Sequence, residues 1–379
     1  MPTVDPRTVI LLAGVMSSFM ALVMFSLDRS YPATIKGLRE WGVALLLVAL
    51  GCTLAFGHGS LPNVMSISVP RLLFPTGLLL TYVGAQRFFG ETPRYLPWIA
   101  LITATAAAQM WFTFVAPDFA ARLLLSGALS ICLFVAFIHL VRRQGLTSFA
   151  RGLTFGVLVA MCAIVVVRMV TALFWQAGSH IYDSTVQHLV YLSALSVFIL
   201  LLSVSMTLLA AERVHTEVAY LASHDSLTNA LTRPHMNAVC AMELERSQRH
   251  GHSMALLVMD LDHFKAVNDN YGHQRGDQVL VDFVHKVNDL LRRPDQLGRF
   301  GGEEFVVLLP ETSLPEALAV AERIRSACDT EDAQPHCTVS IGVATNSQGN
   351  DTVDSMIARA DAAMYRAKTK GRNRVETAE

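Results

Sequence analysis

Residues Arg299 to Phe305 read Arg-Phe-Gly-Gly-Glu-Glu-Phe. Two glycines run straight into two carboxylates, between residues suited to strands. Glycine accepts φ > 0 and has no side chain, so a backbone there can turn tightly and approach a phosphate. Carboxylates at such a turn can hold Mg²⁺, a hard cation that prefers oxygen ligands and bridges to phosphates. Taken alone, the same residues also describe an ordinary β-turn with two solvated glutamates. A second acidic group stands upstream, in Asp260-Leu-Asp-His-Phe-Lys-Ala-Val-Asn-Asp269. Asp260 and Asp262 close an apolar run that reads as a buried strand, and alternation puts both on one face. Lys265 and Asn268 follow within the next turns. Tyr271-Gly-His-Gln-Arg-Gly-Asp277 then opens a helix.

The elements around these residues alternate regularly. The pattern predicts helices over about 233–249, 276–292, 314–327 and 353–369, and strands over 255–260, 296–300, 305–309 and 337–344. A short strand near Arg374 closes the sheet. The order β-α-β-β-α-β is that of a ferredoxin-like palm, an α+β fold. In such a palm the first strand ends beside the central hairpin, which would bring Asp260 near Glu303 and Glu304.

The rest of the chain is of another kind. Of 379 residues, 52% are hydrophobic and 16% charged, and the mean hydropathy is +0.40. That is too apolar for an ordinary soluble protein of this length. Residues 1–210 hold 12 Lys+Arg against 6 Asp+Glu, and residues 211–379 hold 18 against 25. A sparse, basic, apolar half therefore precedes an acidic one, and a nucleic acid polymer is not an expected partner.

A membrane-spanning helix needs about 20 apolar residues. Seven stretches of roughly that length lie near 9–27, 41–57, 67–86, 96–116, 121–141, 152–174 and 188–210. A cleaved signal peptide is not expected, because the first stretch has a weak basic flank and six more follow. The loops after the first, third and fifth carry Arg29, Lys36, Arg39, Arg87, Arg94, Arg142, Arg143 and Arg151, while Arg7 and Arg122 lie opposite. The positive-inside rule then puts the N-terminus outside and residues 211–379 in the cytoplasm.

Arg168 falls inside the sixth stretch, where a charge faces a partner or a cavity. His58, His180 and His188 lie toward the outer side without ligand spacing. The six cysteines show no CxxC pair and read as packed, reduced thiols. The expected organisation is a seven-helix membrane sensor over 1–210, a helical linker over 211–223 and a catalytic domain over 224–379. Leu209, Val214, Val218 and Leu221 recur at helical spacing along the linker, a stripe suited to pairing with a second copy or to packing on its own domain.

The C-terminal half resembles the GGDEF family of diguanylate cyclases, over about residues 220–375. The resemblance rests on six motifs together: Asp225-Ser-Leu-Thr-Asn-Ala-Leu-Thr-Arg233, Asp260 to Asp269, Tyr271 to Asp277, Gly301-Gly-Glu-Glu-Phe305, Thr338-Val-Ser-Ile-Gly342 and Ala363-Met-Tyr-Arg-Ala-Lys-Thr-Lys-Gly-Arg-Asn373. The sequence departs from the family at Asn229, where glycine is usual, and at Thr232 and Pro234, where Asn and Arg are common.

The resemblance implies condensation of two GTP into cyclic di-GMP and two pyrophosphates, by a homodimer. It implies that Asp260, the Leu261 carbonyl and Glu303 hold Mg²⁺, with Mn²⁺ as an alternative. Glu303 would also take the proton of the attacking 3′-hydroxyl, and Glu304 would assist. Lys265 would stabilise transition-state charge, and Asn268 and Asp277 would read guanine, with His273 beside them. Lys368 and Arg372 would contact phosphates. Arg292-Arg-Pro-Asp295 has the family's RxxD spacing for a product site, with Arg323 as a second arginine by position. Two other readings are a catalytically silent receptor that binds cyclic di-GMP through Arg292 and Asp295, and a membrane transporter or receptor with a dimerising tail. Intact Asp260, Glu303, Lys265, Asn268 and Asp277 weigh against the first, and the scarcity of ionisable residues in the spans weighs against the second.

Overall fold

Long runs without polar interruption make the N-terminal half helical. The computed structural model describes residues 5–174, 186–329, 335–346 and 351–378. Its first helices are α1 (Pro6–Ser30), α2 (Leu38–Phe56), α3 (Val69–Phe88), α4 (Leu96–Phe114), α5 (Phe119–Arg143), α6 (Phe149–Phe174) and α7 (Val186–Ser223), with a π-helical turn at Val64–Ser68 leading into α3. Asp5 caps α1 and Asp118 caps α5, each accepting a backbone N–H of the first turn.

Among the described residues, six helices are long and apolar enough to cross a membrane: α1, α2, Val64–Phe88, α5, α6 and α7. The fourth expected span is a helix, α4, but it is not one of the six. Thr103, Thr105, Gln109 and Thr113 dilute its apolar run. The assignment of the basic loops to one side rests on α4 crossing with the others. Arg168 is buried with its guanidinium over the Tyr191 ring, 5.2 Å from the centroid, so its partner is on the next helix. His58 hydrogen-bonds Ser66. His180 and the side chain of His188 lie outside the described residues.

α7 is one continuous helix of 38 residues. The chain divides into two compact units, 1–216 and 217–379, with the division inside α7. The expected apolar stripe divides with it. Leu209 and Val214 pack into the first unit, whereas Val218 and Leu221 are 57% and 62% exposed.

The second unit is a six-stranded mixed sheet. Its elements are β1 (Leu231–Thr232), α8 (Arg233–His250), β2 (Ala255–Leu261), α9 (Phe264–Tyr271), α10 (His273–Leu290), β3 (Gln296–Arg299), β4 (Glu304–Leu309), α11 (Leu314–Cys328), β5 (Val339–Thr345), α12 (Val353–Thr369) and β6 (Val375–Thr377). The strand order is β1-β3-β4-β2-β5-β6. Its four central strands are antiparallel, and β1 and β6 add parallel edges. The β-α-β-β-α-β core is therefore present. β2 is buried along its whole length because strands flank it and helices cover both faces. Leu257, Met259 and Leu261 face the core that includes residues of α10 and α11. Leu256 and Val258 face the core that includes residues of α8 and α12. Alternation puts Asp260 on this second face, at the strand end.

Two elements were not expected from sequence. β1 is only two residues long, and α9 is a two-turn helix anchored by Phe264 and Val267, too short to show a repeat. The helix expected over 276–292 begins earlier, at His273, after Gly272 takes φ +81°.

Candidate active site

The site grows from the ends of β2 and β4. Asp260 pairs in register with Glu304, and the Leu261 N–H donates to the Glu303 carbonyl at 3.3 Å. The backbone thus places three carboxylate-bearing residues where β2 ends and β4 begins. Asp260 is 5% exposed, and Lys368 Nζ of α12 lies 2.7 Å from its Oδ2. Burial raises the Asp260 carboxyl above the usual carboxylate range, against the pull of Lys368, and Asp262 and Asp361 add to the rise. Burial also raises Glu303, and Asp260 and Glu304 raise it further.

The glycine turn is built differently from expectation. Neither Gly301 nor Gly302 takes positive φ. What the glycines supply is bare backbone: a Cβ at Gly302 would meet nothing within 4 Å, and one at Gly301 would sit 3.1 Å from Glu304 Oε2. Arg299 holds the loop. Its Nη2 donates to the Gly302 carbonyl at 2.7 Å and its Nε to the Gly301 carbonyl at 3.2 Å. Its Nη1 donates to Asp225 at 2.8 Å. Burial alone would raise the Asp225 carboxyl, but hydrogen bonds from Thr228 and Arg299 outweigh it and hold the group below its ordinary value. An open groove of about 370 Å³ runs beside this loop, lined by Arg233, Arg299, Phe300 and the two glycines among others.

Asp262 has a structural place. Its carboxylate accepts from Thr338 Oγ1 at 2.7 Å, Ser340 Oγ at 2.7 Å and the Asn373 N–H at 3.0 Å. It ties the end of β2 to β5 and to the chain leaving α12. There Arg372 and Asn373 adopt left-handed backbone, φ +61° and +45°, after Gly371 at +114°. Arg372 is exposed, past the end of α12.

Lys265 is exposed on the first turn of α9. Asn268 lies on the same helix, and its side chain presses on Gly276, where a Cβ would come 1.9 Å from Asn268 Oδ1. That close approach joins α9 to the start of α10, where His273 and Asp277 are exposed. Farther off, Arg292 and Asp295 close one turn: the Arg292 N–H donates to the Asp295 carboxylate at 2.8 Å. Arg323 Nη2 donates to the Leu290 carbonyl at 2.9 Å, which brings it to the end of α10 beside that turn.

Three contributors carried no assigned role in the sequence reading: Arg299, Asp225 and Gly342. A Cβ on Gly342 would lie 2.0 Å from the Ala360 carbonyl oxygen and 2.3 Å from Met364 N, so α12 seats directly on β5. The Thr338-Val-Ser-Ile-Gly342 motif was the available signal. Asn229, in the turn after Asp225, takes φ +60°, the conformation for which glycine is usual, and its Oδ1 accepts from Tyr220 OH at 2.6 Å.

Among the described residues no three His, Cys, Asp or Glu side chains cluster as a metal cage. The donor set present, the Asp260 and Glu303 carboxylates and the strand-end carbonyl of Leu261, fits a divalent cation, which prefers oxygen ligands.

Residues 222–374 match the family model described as Diguanylate cyclase, GGDEF domain. Diguanylate cyclase DgcM of Escherichia coli (strain K12) is 39% identical over 166 residues, 43% of this chain and 40% of DgcM. Diguanylate cyclase DgcP of Pseudomonas aeruginosa is 42% identical over 159 residues, 41% of this chain and 24% of DgcP. The chain thus spans less than half the length of these curated relatives. The crystal structure of the GGDEF domain of DgcB from Caulobacter crescentus in complex with c-di-GMP aligns at 33% identity, with a TM-score of 0.40, over 42% of this chain and 94% of that one. With the six motifs within one palm-like unit and the match running from 222 to 374, this part of the chain is a GGDEF domain.

Proposed function

We propose that the chain is a membrane-bound diguanylate cyclase that condenses two GTP into cyclic di-GMP. The observation that carries this reading is the placing of Asp260, Glu303 and Glu304 at adjacent strand ends, with Lys368 at 2.7 Å from Asp260. Asp260, the Leu261 carbonyl and Glu303 would hold Mg²⁺ or Mn²⁺. A cation held there would supply positive charge against the charge that grows on the α-phosphate. Glu303 takes the proton of the 3′-hydroxyl. The hydroxyl oxygen attacks the α-phosphate of the second GTP, and pyrophosphate leaves.

Asn268 and Asp277 read the N1–H and N2–H₂ edge of guanine, which adenine lacks, and a carboxylate left unpaired by the wrong base disfavours it about 10⁴-fold. His273 borders that pocket. Lys265 and Glu304 act near the reacting phosphate, and Lys368 and Arg372 bind the outer phosphates. Each site holds one GTP, so catalysis needs two copies face to face. Product bound at Arg292, Asp295 and Arg323 would hold the copies apart and give feedback inhibition.

The N-terminal unit is a sensor in the lipid of a bacterial inner membrane, with α7 carrying its signal to a cytoplasmic GGDEF domain. The working division is a sensor over 1–210, a linker over 211–223 and a cyclase domain over 224–379.

The test is turnover of Mg²⁺–GTP by detergent-solubilised full-length chain, stripped of bound nucleotide, with product identified by mass. Cyclic di-GMP from the native chain but not from Glu303→Gln supports the enzyme. No product from the stripped chain, or from an isolated 215–379 fragment shown to be folded, would favour the silent receptor.

A further inference from the structure

The Asp260–Lys368 pair stands where a metal ion and a triphosphate would both be bound. Asp260 is almost fully buried, and Lys368 is partly so. Among the described residues, Lys368 is the one cation within ion-pair distance of Asp260 or Glu303. The surrounding charges are acidic: Asp262, Asp361, Glu303 and Glu304. An unpaired buried carboxylate is strongly unfavourable, so the ammonium stabilises the nucleotide-free site. The stem of Lys368 cannot withdraw far, because Gly342 lets the backbone of α12 sit directly on β5 one turn away. Its ammonium, on a flexible chain with three donors, can still swing.

We propose that Lys368 is a counterion gate on the metal site. It occupies Asp260 until a triphosphate draws it off, so free divalent metal binds poorly and metal binds well only together with nucleotide. This rests on Asp260 being a metal ligand, as proposed above. A divalent ion on Asp260 and an ammonium hydrogen-bonded to the same carboxylate oxygen repel each other at close range. Phosphate oxygens resolve the conflict by taking Lys368 while the metal takes Asp260. The exchange couples the two ligands, and by linkage the coupling is reciprocal.

Replacement of Lys368 therefore has opposite effects on the two ligands. Detergent-solubilised full-length Lys368→Met, stripped of nucleotide, should bind Mn²⁺ alone at least about tenfold more tightly than the native chain, read by electron paramagnetic resonance or calorimetry. The same variant should bind an α,β-methylene GTP analogue with Mn²⁺ more weakly, and the coupling between metal and analogue should largely vanish. Lys368→Arg, which keeps the charge, should leave Mn²⁺ binding weak. Thermal melting checks that each variant is folded. Equal or weaker Mn²⁺ binding by folded Lys368→Met, beside native binding of the Mn²⁺–analogue complex, overturns the gate and leaves the metal-site reading standing. If Asp260→Asn on the Lys368→Met background leaves Mn²⁺ binding unchanged, or if no form binds Mn²⁺ with or without analogue, the metal-site reading fails and the gate with it.

Discussion

Arg299 Nη1 lies 2.8 Å from Asp225 Oδ1, so the side chain that holds the carbonyls of Gly301 and Gly302 also holds the turn at the end of α7. Asp225 follows α7 by two residues, and its Oδ1 also accepts from Thr228 N and Oγ1. One guanidinium therefore joins the foot of the long helix to the glycine loop.

Arg299→Met should lower kcat about tenfold to a hundredfold, since hydrogen bonds to charged groups contribute about 1.5–3 kcal/mol. GTP affinity should change less, because the loop and not the guanine pocket is disturbed. Steady-state kinetics on the variant, with a double-mutant cycle against Asp225→Asn, separates the pair from its parts. The pair also has a pH signature. The Asp225 carboxyl is lowered in the folded state, so its stabilisation is complete above the unfolded value and is lost as pH falls through the folded one. In Arg299→Met that acid-side loss should shrink.

Gly276→Ala tests the proposed guanine pocket without replacing a polar residue. The new methyl would need the place of Asn268 Oδ1, 1.9 Å away. Overpacking of this kind costs about 1–3 kcal/mol. Preference for GTP over ATP should fall sharply, while the Asp260 end of the site keeps its metal response. Competition kinetics with both nucleotides reads the ratio. Unchanged preference would remove Asn268 from the guanine-reading role.

Asp262→Ala should act on stability first. It would leave Thr338, Ser340 and the Asn373 N–H without their common acceptor, at a cost of about 3 kcal/mol or more. The melting temperature should drop, and Asp262→Asn should drop it less. Lost activity at unchanged melting temperature would instead put Asp262 in the chemistry.

Glu303 predicts a pH dependence of opposite sign to Asp225. Its carboxyl is raised in the folded state by burial and by Asp260. Such a group favours folding below its unfolded value, and that contribution is lost as pH rises through the folded one. Without metal, Glu303→Gln should therefore melt higher than the native chain at neutral pH, and the difference should close as pH falls. Melting curves across pH check it.

Local pattern in the sequence determined the parts of this protein. Apolar runs marked the N-terminal helices and, as shorter runs bounded by polar residues, the strands β2, β4 and β5. The residue types at Asp260, Glu303, Lys368 and Gly301–Gly302 marked the candidate site, because such patterns are read over a few neighbouring residues. Tertiary structure decided what those residues touch. Asp262 meets Asn373 across 111 positions, and Lys368 meets Asp260 only because α12 packs on β5 over Gly342. Arg299 found the glycine loop and Asp225 together only once β3 paired with β1 and β4. The backbone of the two glycines likewise followed from the hairpin's register and not from glycine's freedom. Contacts of this range depend on how sheet and helices pack, which no short window of sequence contains.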